Sequence, residues 1–583
     1  MSNSHVSLNR SSSASKLPKA IDQVDTLPAL PALSATDRNA KNNVAFWHDR
    51  LVEFGLVLSM ALYYLVGNQN ILKVYKISLG NLTQIDPRLS WIFLFAFVAL
   101  VWYRLPFAVA LLPLTLPFYL APKAVLSNVE FSPVEITLWL CVGIALVQGL
   151  IRWGRWEYKL SLNEIRDRVG PFLIPLCVFF LAALISITVA LSLGAAVRTF
   201  REEVLDPFLF LGLALCCLRA RQDITRLLTA LFAIGFVIAL LGIVQYLFFF
   251  KSTLTSPDPE GLLGIYTVYG SPNSVGLLFD YTLPIGLALV ASRVSWRLRL
   301  AGLVCCLPFF FILSQDQSRG AALAAFPIAL IFVLLLSVRN RKVVLIGSLL
   351  VLVLGAGVVG LYHQKIADYV NRDIINGHAN QHGVSTLQRR IYLWESAVNM
   401  IHDSPWIGYG LDNWLCHYSD PKTLSPWQPK PGWTKTCAPA HRYYAITEVN
   451  GHTTYMNDEP SLSHPHNIFL HVWVSIGVFG LLAFVAVLIL FFWLFARVLS
   501  YVTRHQFEGN EQLRWLTVGA GAGMLAAIIQ GMGDSAFLEQ DLSFCFWMLV
   551  TALLLIRVYL GIPWREMLPA GLLARKKIIN ETA

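Results

Sequence analysis

Uninterrupted apolar runs recur along the chain, at roughly 51–67, 91–103, 105–121, 132–151, 171–194, 204–218, 227–250, 275–292, 300–314, 320–338, 343–362, 467–496 (read as two spans), 515–533 and 543–560. Many are about 18 residues or longer, the length a helix needs to cross a bilayer. They are continuous rather than alternating, so they fit helical spans and not the strands of a β-barrel. The pattern predicts an all-α polytopic membrane protein with about 12–14 transmembrane helices. Two stretches break it. Residues 1–43 are polar and rich in Ser, Asn, Ala and Pro, and read as a disordered cytoplasmic tail. Residues 363–466 form a polar segment of 104 residues between spans, far longer than a connection requires.

The predicted organisation is therefore a tail (1–43), an N-terminal transmembrane bundle (44–362), a large extracytoplasmic loop (363–466), and C-terminal transmembrane helices with a short basic tail (467–583).

Composition sharpens this picture. Of 583 residues 56% are hydrophobic and only 14% charged, against about 25% charged in soluble proteins. Mean hydropathy is +0.58. A soluble enzyme is excluded. The net charge of +10 needs no nucleic acid to explain it. With the N-terminus cytoplasmic, short loops on the inner side carry more than twice as many Lys and Arg as those on the outer side. That asymmetry is the positive-inside pattern. It places the long loop outside the cytoplasmic (inner) membrane, and with it 9 of the 13 histidines and two of the nine cysteines, Cys416 and Cys437. In an oxidising compartment these two can pair, if their backbones come within reach.

Three basic residues fall at the outer side. Arg319 precedes an apolar run and can serve either as an anion site at a helix N-terminus or as an interfacial arginine. Arg390 lies in a segment where Leu387, Ile391, Trp394, Val398 and Ile401 recur at helical spacing. Ser385 and Gln388 fit a capping box and Ser404-Pro405 a stop. An amphipathic helix of about 17 residues follows, with Arg390 at the edge of its apolar face and Arg389 pointing away. His466, where the loop re-enters the membrane, is a candidate general base, a metal ligand with His464, or a capping histidine. The pair lacks a visible third ligand in sequence, which weakens the metal reading.

Asp280 and Asp534, within or at the edge of spans, are functional candidates because carboxylates are costly there. Asn273 opens a span, as a substrate contact or a cap. Trp394 is a further candidate substrate contact. Tyr266 and Tyr269 read as interface aromatics. Trp406, Trp414, Tyr418 and Trp427 either stack on sugars or pack the loop's own core. No Walker A loop, Gly-x-Ser-x-Gly elbow or Asp-x-Asp pair is present.

Several stretches, in order, resemble the O-antigen ligase and O-antigen polymerase superfamily of bacterial membrane proteins. They are Tyr269-Gly-Ser-Pro-Asn273, Ser318-Arg-Gly-Ala-Ala-Leu323, Arg390-Ile-Tyr-Leu-Trp-Glu-Ser-Ala397, Asp403-Ser-Pro-Trp-Ile-Gly-Tyr-Gly-Leu-Asp-Asn413 and His466-Asn-Ile-Phe-Leu-His-Val-Trp-Val-Ser-Ile-Gly477, with the last acidic span running from Gly533-Asp-Ser535 to Phe546-Trp547. The resemblance covers roughly 200–560. It implies a metal-independent membrane glycosyltransferase, without cofactor, that moves a glycan from a polyprenyl-diphosphate carrier to an acceptor hydroxyl on a glycan, lipid or protein. It puts the family's essential arginines on Arg319 and Arg390 and its essential histidine on His466. Arg389 and His464 are expected to be dispensable. The alternative is a transporter or flippase of a lipid-linked glycan, which predicts functional charges near the membrane midplane instead.

Overall fold

The structure is a computed structural model. It describes, with short gaps, residues 35–71, 83–126, 129–152, 158–249, 265–269, 272–315, 320–338, 386–418, 443–455 and 463–564. The chain divides into a small unit, Met1–Val52, and a large one, Glu53–Ala583. The first helix, α1 (Ala35–Leu65), begins upstream of residue 43. The helix therefore takes in the end of the segment expected to be a tail.

Among the described residues eight helices are long and apolar enough to span a membrane. Those in the N-terminal part are α2 (Pro133–Ile151), α3 (Leu162–Val189), α4 (Arg221–Phe248), α5 (Asn273–Ala291) and α6 (Trp296–Gln315). After the amphipathic α7 (Thr386–Asp403) come α8 (Ile468–Arg504), α9 (Asn510–Gly531) and α10 (Gln540–Tyr559). The chain is an all-α polytopic membrane protein. Several expected spans are shorter or broken. Asp206–Cys217 and Phe326–Ser337 are helices of 12 residues each. The helical stretches Pro87–Tyr103 and Leu105–Phe118 meet at 115°, after Arg104 and ahead of Pro106. The run at 343–362 lies almost wholly outside the described residues. Two small antiparallel hairpins, β1–β2 (Lys123–Leu126, Val129–Phe131) and β3–β4 (Ile446–Val449, His452–Tyr455), complete the elements used here.

Local sequence explains where the spans start. Ser132 and Glu135 form a capping box at α2, and Ser161 and Glu164 another at α3. Asn467 caps α8 through its side-chain oxygen, which accepts from the backbone N–H of Phe469 at 3.0 Å and Leu470 at 3.1 Å.

The core is formed by α5, α9 and α10, whose apolar windows are 78%, 72% and 89% buried. Small residues bring α5 and α9 together. A Cβ added at Gly519 would lie 2.8 Å from Ile285 Cα, and one at Gly523 would lie 2.9 Å from the Tyr281 carbonyl oxygen. This is close helix approach through glycines four apart, as membrane helices use when there is no hydrophobic drive between them.

The apolar run 467–496 is one 37-residue element, interrupted at Ile476 and Gly477, where the backbone leaves helical geometry. The break is filled by the segment that follows α7. Tyr409 and Gly410 donate backbone N–H bonds to the carbonyls of Val474 and Ser475, at 2.8 and 3.0 Å, and Val478 donates to Pro405 at 2.9 Å. Trp473 Nε1 adds a bond to the Pro405 carbonyl at 3.0 Å. Gly477, at φ +72°, is required here: a Cβ would fall 2.0 Å from the Trp406 carbonyl oxygen. Part of the loop is thus fixed to α8 by backbone hydrogen bonds that the helix itself no longer uses.

Candidate functional site

The site assembles where α8 begins and α9 ends. Asn467, besides capping α8, donates through Nδ2 to the Met532 carbonyl at 3.1 Å. That bond ties the start of one span to the turn after another. His466 immediately precedes the cap and has φ +50°. A left-handed backbone at a non-glycine residue costs about 1–3 kcal/mol and persists only where its surroundings enforce it. Here both sides of the residue are held. Its N–H donates to His464 Nδ1 at 3.3 Å, and its carbonyl accepts from Trp394 Nε1 at 3.3 Å.

The held backbone aims the ring. His466 Nδ1 lies 2.8 Å from Asp534 Oδ1. Asp534 sits in the turn between α9 and α10, is almost fully buried, and accepts a second bond from the Ser535 N–H at 2.8 Å. Burial alone would raise its pKa. The His466 charge and hydrogen bond, with His464 and Arg390, outweigh this and hold the carboxyl well below the usual carboxylate range. An ionised Asp534 keeps the proton of a neutral His466 on Nδ1. Nε2 is then a lone-pair acceptor, the tautomer a general base requires. Its neighbour His464 is buried, and burial, then the nearby His466, lowers its pKa well below the ordinary value. It remains neutral.

Arg390 reaches the same turn from α7. Its Nη1 lies 3.0 Å from where a Cβ on Gly533 would stand, and its charge acts on both Asp534 and His464. Among the described residues no hydrogen bond or ion pair engages its side chain. The observed α7 spans 18 residues, close to expectation, but its buried face is turned. Leu393, Ala397 and Met400 are fully buried and Ile401 nearly so, whereas Ile391 and Val398 are exposed. The helix buries the side centred on Leu393 and Ala397, against Trp414, Leu415, Tyr418 and Val474, because the loop packs there. Arg390 lies on that buried side at 100° per residue, and so is carried toward Asp534 rather than along an edge.

His466, Asp534, Arg390 and Trp394 thus come together. Asn273 stands at the start of α5. Arg319 lies outside the described residues, as do the side chain of Arg389, Ser385, Tyr266, Trp427 and Cys437. Gly320, next to Arg319, has its Cβ position 3.6 Å from Gln530 Cγ, one turn before Gly533. Asp280 is fully buried in α5, with neither carboxylate oxygen hydrogen-bonded among the described residues.

One further expectation is corrected, and two left open are decided. Tyr269 is not an interface aromatic: it is buried, and its hydroxyl donates to Asp541 Oδ2 at 2.6 Å. Trp414 and Tyr418 are buried and stacked on each other at 5.0 Å, so they pack the loop's core. Trp406 is exposed. Cys416 is disulfide-bonded.

Sequence inspection also missed the third member of a possible metal group. His464, His466 and Asp534 place one ligand atom each within 4.8 Å of one another. Asp534 is 68 positions from His466, and only the α8–α9 junction brings them together.

Residues 301–485 match the family model described as O-Antigen ligase. This part of the chain is similar to the O-antigen ligase family. The match contains Arg319, Arg390 and His466, and it ends before Asp534. It supports a membrane glycan ligase or polymerase in general terms. No curated protein matches the chain.

Proposed function

We propose that the protein is a glycosyltransferase of the cytoplasmic membrane. It would transfer a glycan from a polyprenyl-diphosphate carrier to an acceptor hydroxyl on the extracytoplasmic face, as an O-antigen ligase or a polysaccharide polymerase. The observation that carries the reading is the His466–Asp534 hydrogen bond at 2.8 Å, with the Arg390 guanidinium beside the same turn.

In this reaction His466 Nε2 takes the proton of the acceptor hydroxyl as its oxygen attacks the anomeric carbon. The bond from that carbon to the carrier's diphosphate oxygen breaks, and the diphosphate leaves with the electron pair. Arg390, with Arg319 by resemblance, meets the growing negative charge through charge-assisted hydrogen bonds. Asp534 keeps the imidazole oriented and stabilises the imidazolium that forms. Energy comes with the donor, so neither nucleotide nor metal is needed. General-base assistance of this kind contributes about 10²- to 10⁴-fold in rate.

The test is transfer in reconstituted vesicles from a lipid-diphosphate glycan donor, read as carrier diphosphate release and product size. Release by wild type and its loss in His466→Ala are expected. A product ladder would identify a polymerase, and a single addition a ligase. Donor crossing the bilayer without release would overturn the reading in favour of a flippase.

A further inference from the structure

Resting on that reading of His466 as the base, we propose that His464 is a positioning residue of the reaction: its Nδ1 holds the His466 backbone in the left-handed turn that directs the His466 ring at Asp534. The sequence gives no reason to separate His464 from a solvated bystander. The structure does.

The bond from the His466 N–H to His464 Nδ1, at 3.3 Å, fixes the tautomer of His464. Nδ1 must carry the lone pair, so the proton is on Nε2. That nitrogen points to the other end of the same constellation, 3.9 Å from Asp534 Oδ1. One neutral ring therefore spans from the backbone of the base to the carboxylate that orients it. The two histidine rings stand edge to face, 4.6 Å apart and 85° to one another. Beside them His471, 5.6 Å from His464, bonds through Nδ1 to Ser535 Oγ at 2.6 Å.

Among the described residues, the charged and titratable groups around His464 are His466, Asp534, His471 and Arg390. A cationic His464 would stand next to Arg390 and would lose its Nδ1 acceptor. Staying neutral is what the geometry requires of it.

Loss of the acceptor frees the strained turn, and an error of about 1 Å in a catalytic group costs about 10²-fold in rate. The test compares His464→Leu, which fills space without an acceptor, with His464→Asn, whose side-chain oxygen falls near the place of Nδ1. Two readouts are taken on the full chain in vesicles. One is the rate at which diethyl pyrocarbonate modifies His466, followed by mass spectrometry. The other is kcat and KM for glycan transfer. We expect His464→Leu to change His466 modification severalfold and to lower kcat about 10²-fold with KM kept. His464→Asn should stay within about fivefold of wild type in both. A His464→Leu protein matching wild type in His466 modification and kcat would overturn the proposal. So would His464→Asn failing as badly as His464→Leu. If wild type shows no transfer while His466 modification still responds to His464→Leu, the reading of function fails and the positioning role stands.

Discussion

Arg226 and Arg390 show how differently one side chain can be used in the same bundle. Arg226, near the start of α4, is buried and fully engaged. Its Nε bonds Glu53 Oε1 at 2.7 Å, its Nη1 bonds Asp223 Oδ1 at 3.1 Å, and its guanidinium lies 3.9 Å above the Phe107 ring. Two carboxylates and an aromatic face surround its charge. Arg390 is half-buried, sits beside a glycine that leaves it room, and engages no described side chain by hydrogen bond or ion pair. A buried cation whose donors are satisfied holds helices together. A cation that engages no other described side chain, beside an oriented histidine, can meet a negative charge that arrives with a substrate. The difference lies in the partners, since both arginines sit on helices.

Substitutions can break this contrast. The largest effect on chemistry is expected from Arg390→Ala, a loss of about 10²- to 10³-fold in kcat, the scale of removing one stabilising donor. Its thermal transition should stay near wild type. Arg226→Ala should do the opposite: breaking a buried ion pair costs about 3–5 kcal/mol of stability, measured by detergent-phase unfolding, while the folded fraction keeps its kcat. An Arg226→Ala protein that is stable but inactive would erase the distinction. Gly533→Ala sharpens it with a smaller change. The new Cβ would sit 3.0 Å from Arg390 Nη1, so a loss of about tenfold in kcat, without a matching loss of stability, is expected. The smallest effect is expected from chelation. Dialysis against a chelator should leave the transfer rate within about twofold, since the proposed chemistry draws on the donor's own leaving group and the His466 base. Inhibition reversed by an added divalent ion would instead make His464, His466 and Asp534 a metal site.

Much of the fold was legible in the apolar runs, because a bilayer admits few alternatives to a helix of sufficient length. The amphipathic α7 was legible for a similar local reason, its spacing and its Ser404-Pro405 stop. Its orientation was not. Ile391 and Val398 are as apolar as Leu393 and Met400, and only the packing of Trp414 and Tyr418 decides which side is covered. The break in α8 was also hidden, since Ile476-Gly477 lies in an apolar run and is opened by backbone bonds from residues 405–410. At the site, His466, Arg390 and Asp534 could be singled out by residue type and place at the membrane edge. Their convergence could not, and neither could the role of His464, which rests on one hydrogen bond across a left-handed turn. Long-range contacts of this kind are set by how helices pack, which no local pattern encodes.

The central claim is that His466 and Asp534 act as one unit in glycan transfer. The most direct measurement is kcat from a lipid-diphosphate donor for His466→Ala, Asp534→Asn and the two combined. Residues that act as a unit are strongly non-additive. The double variant is predicted to be no slower than His466→Ala alone. Losses that multiply would contradict the account, because they would mean that Asp534 acts on the reaction independently of His466.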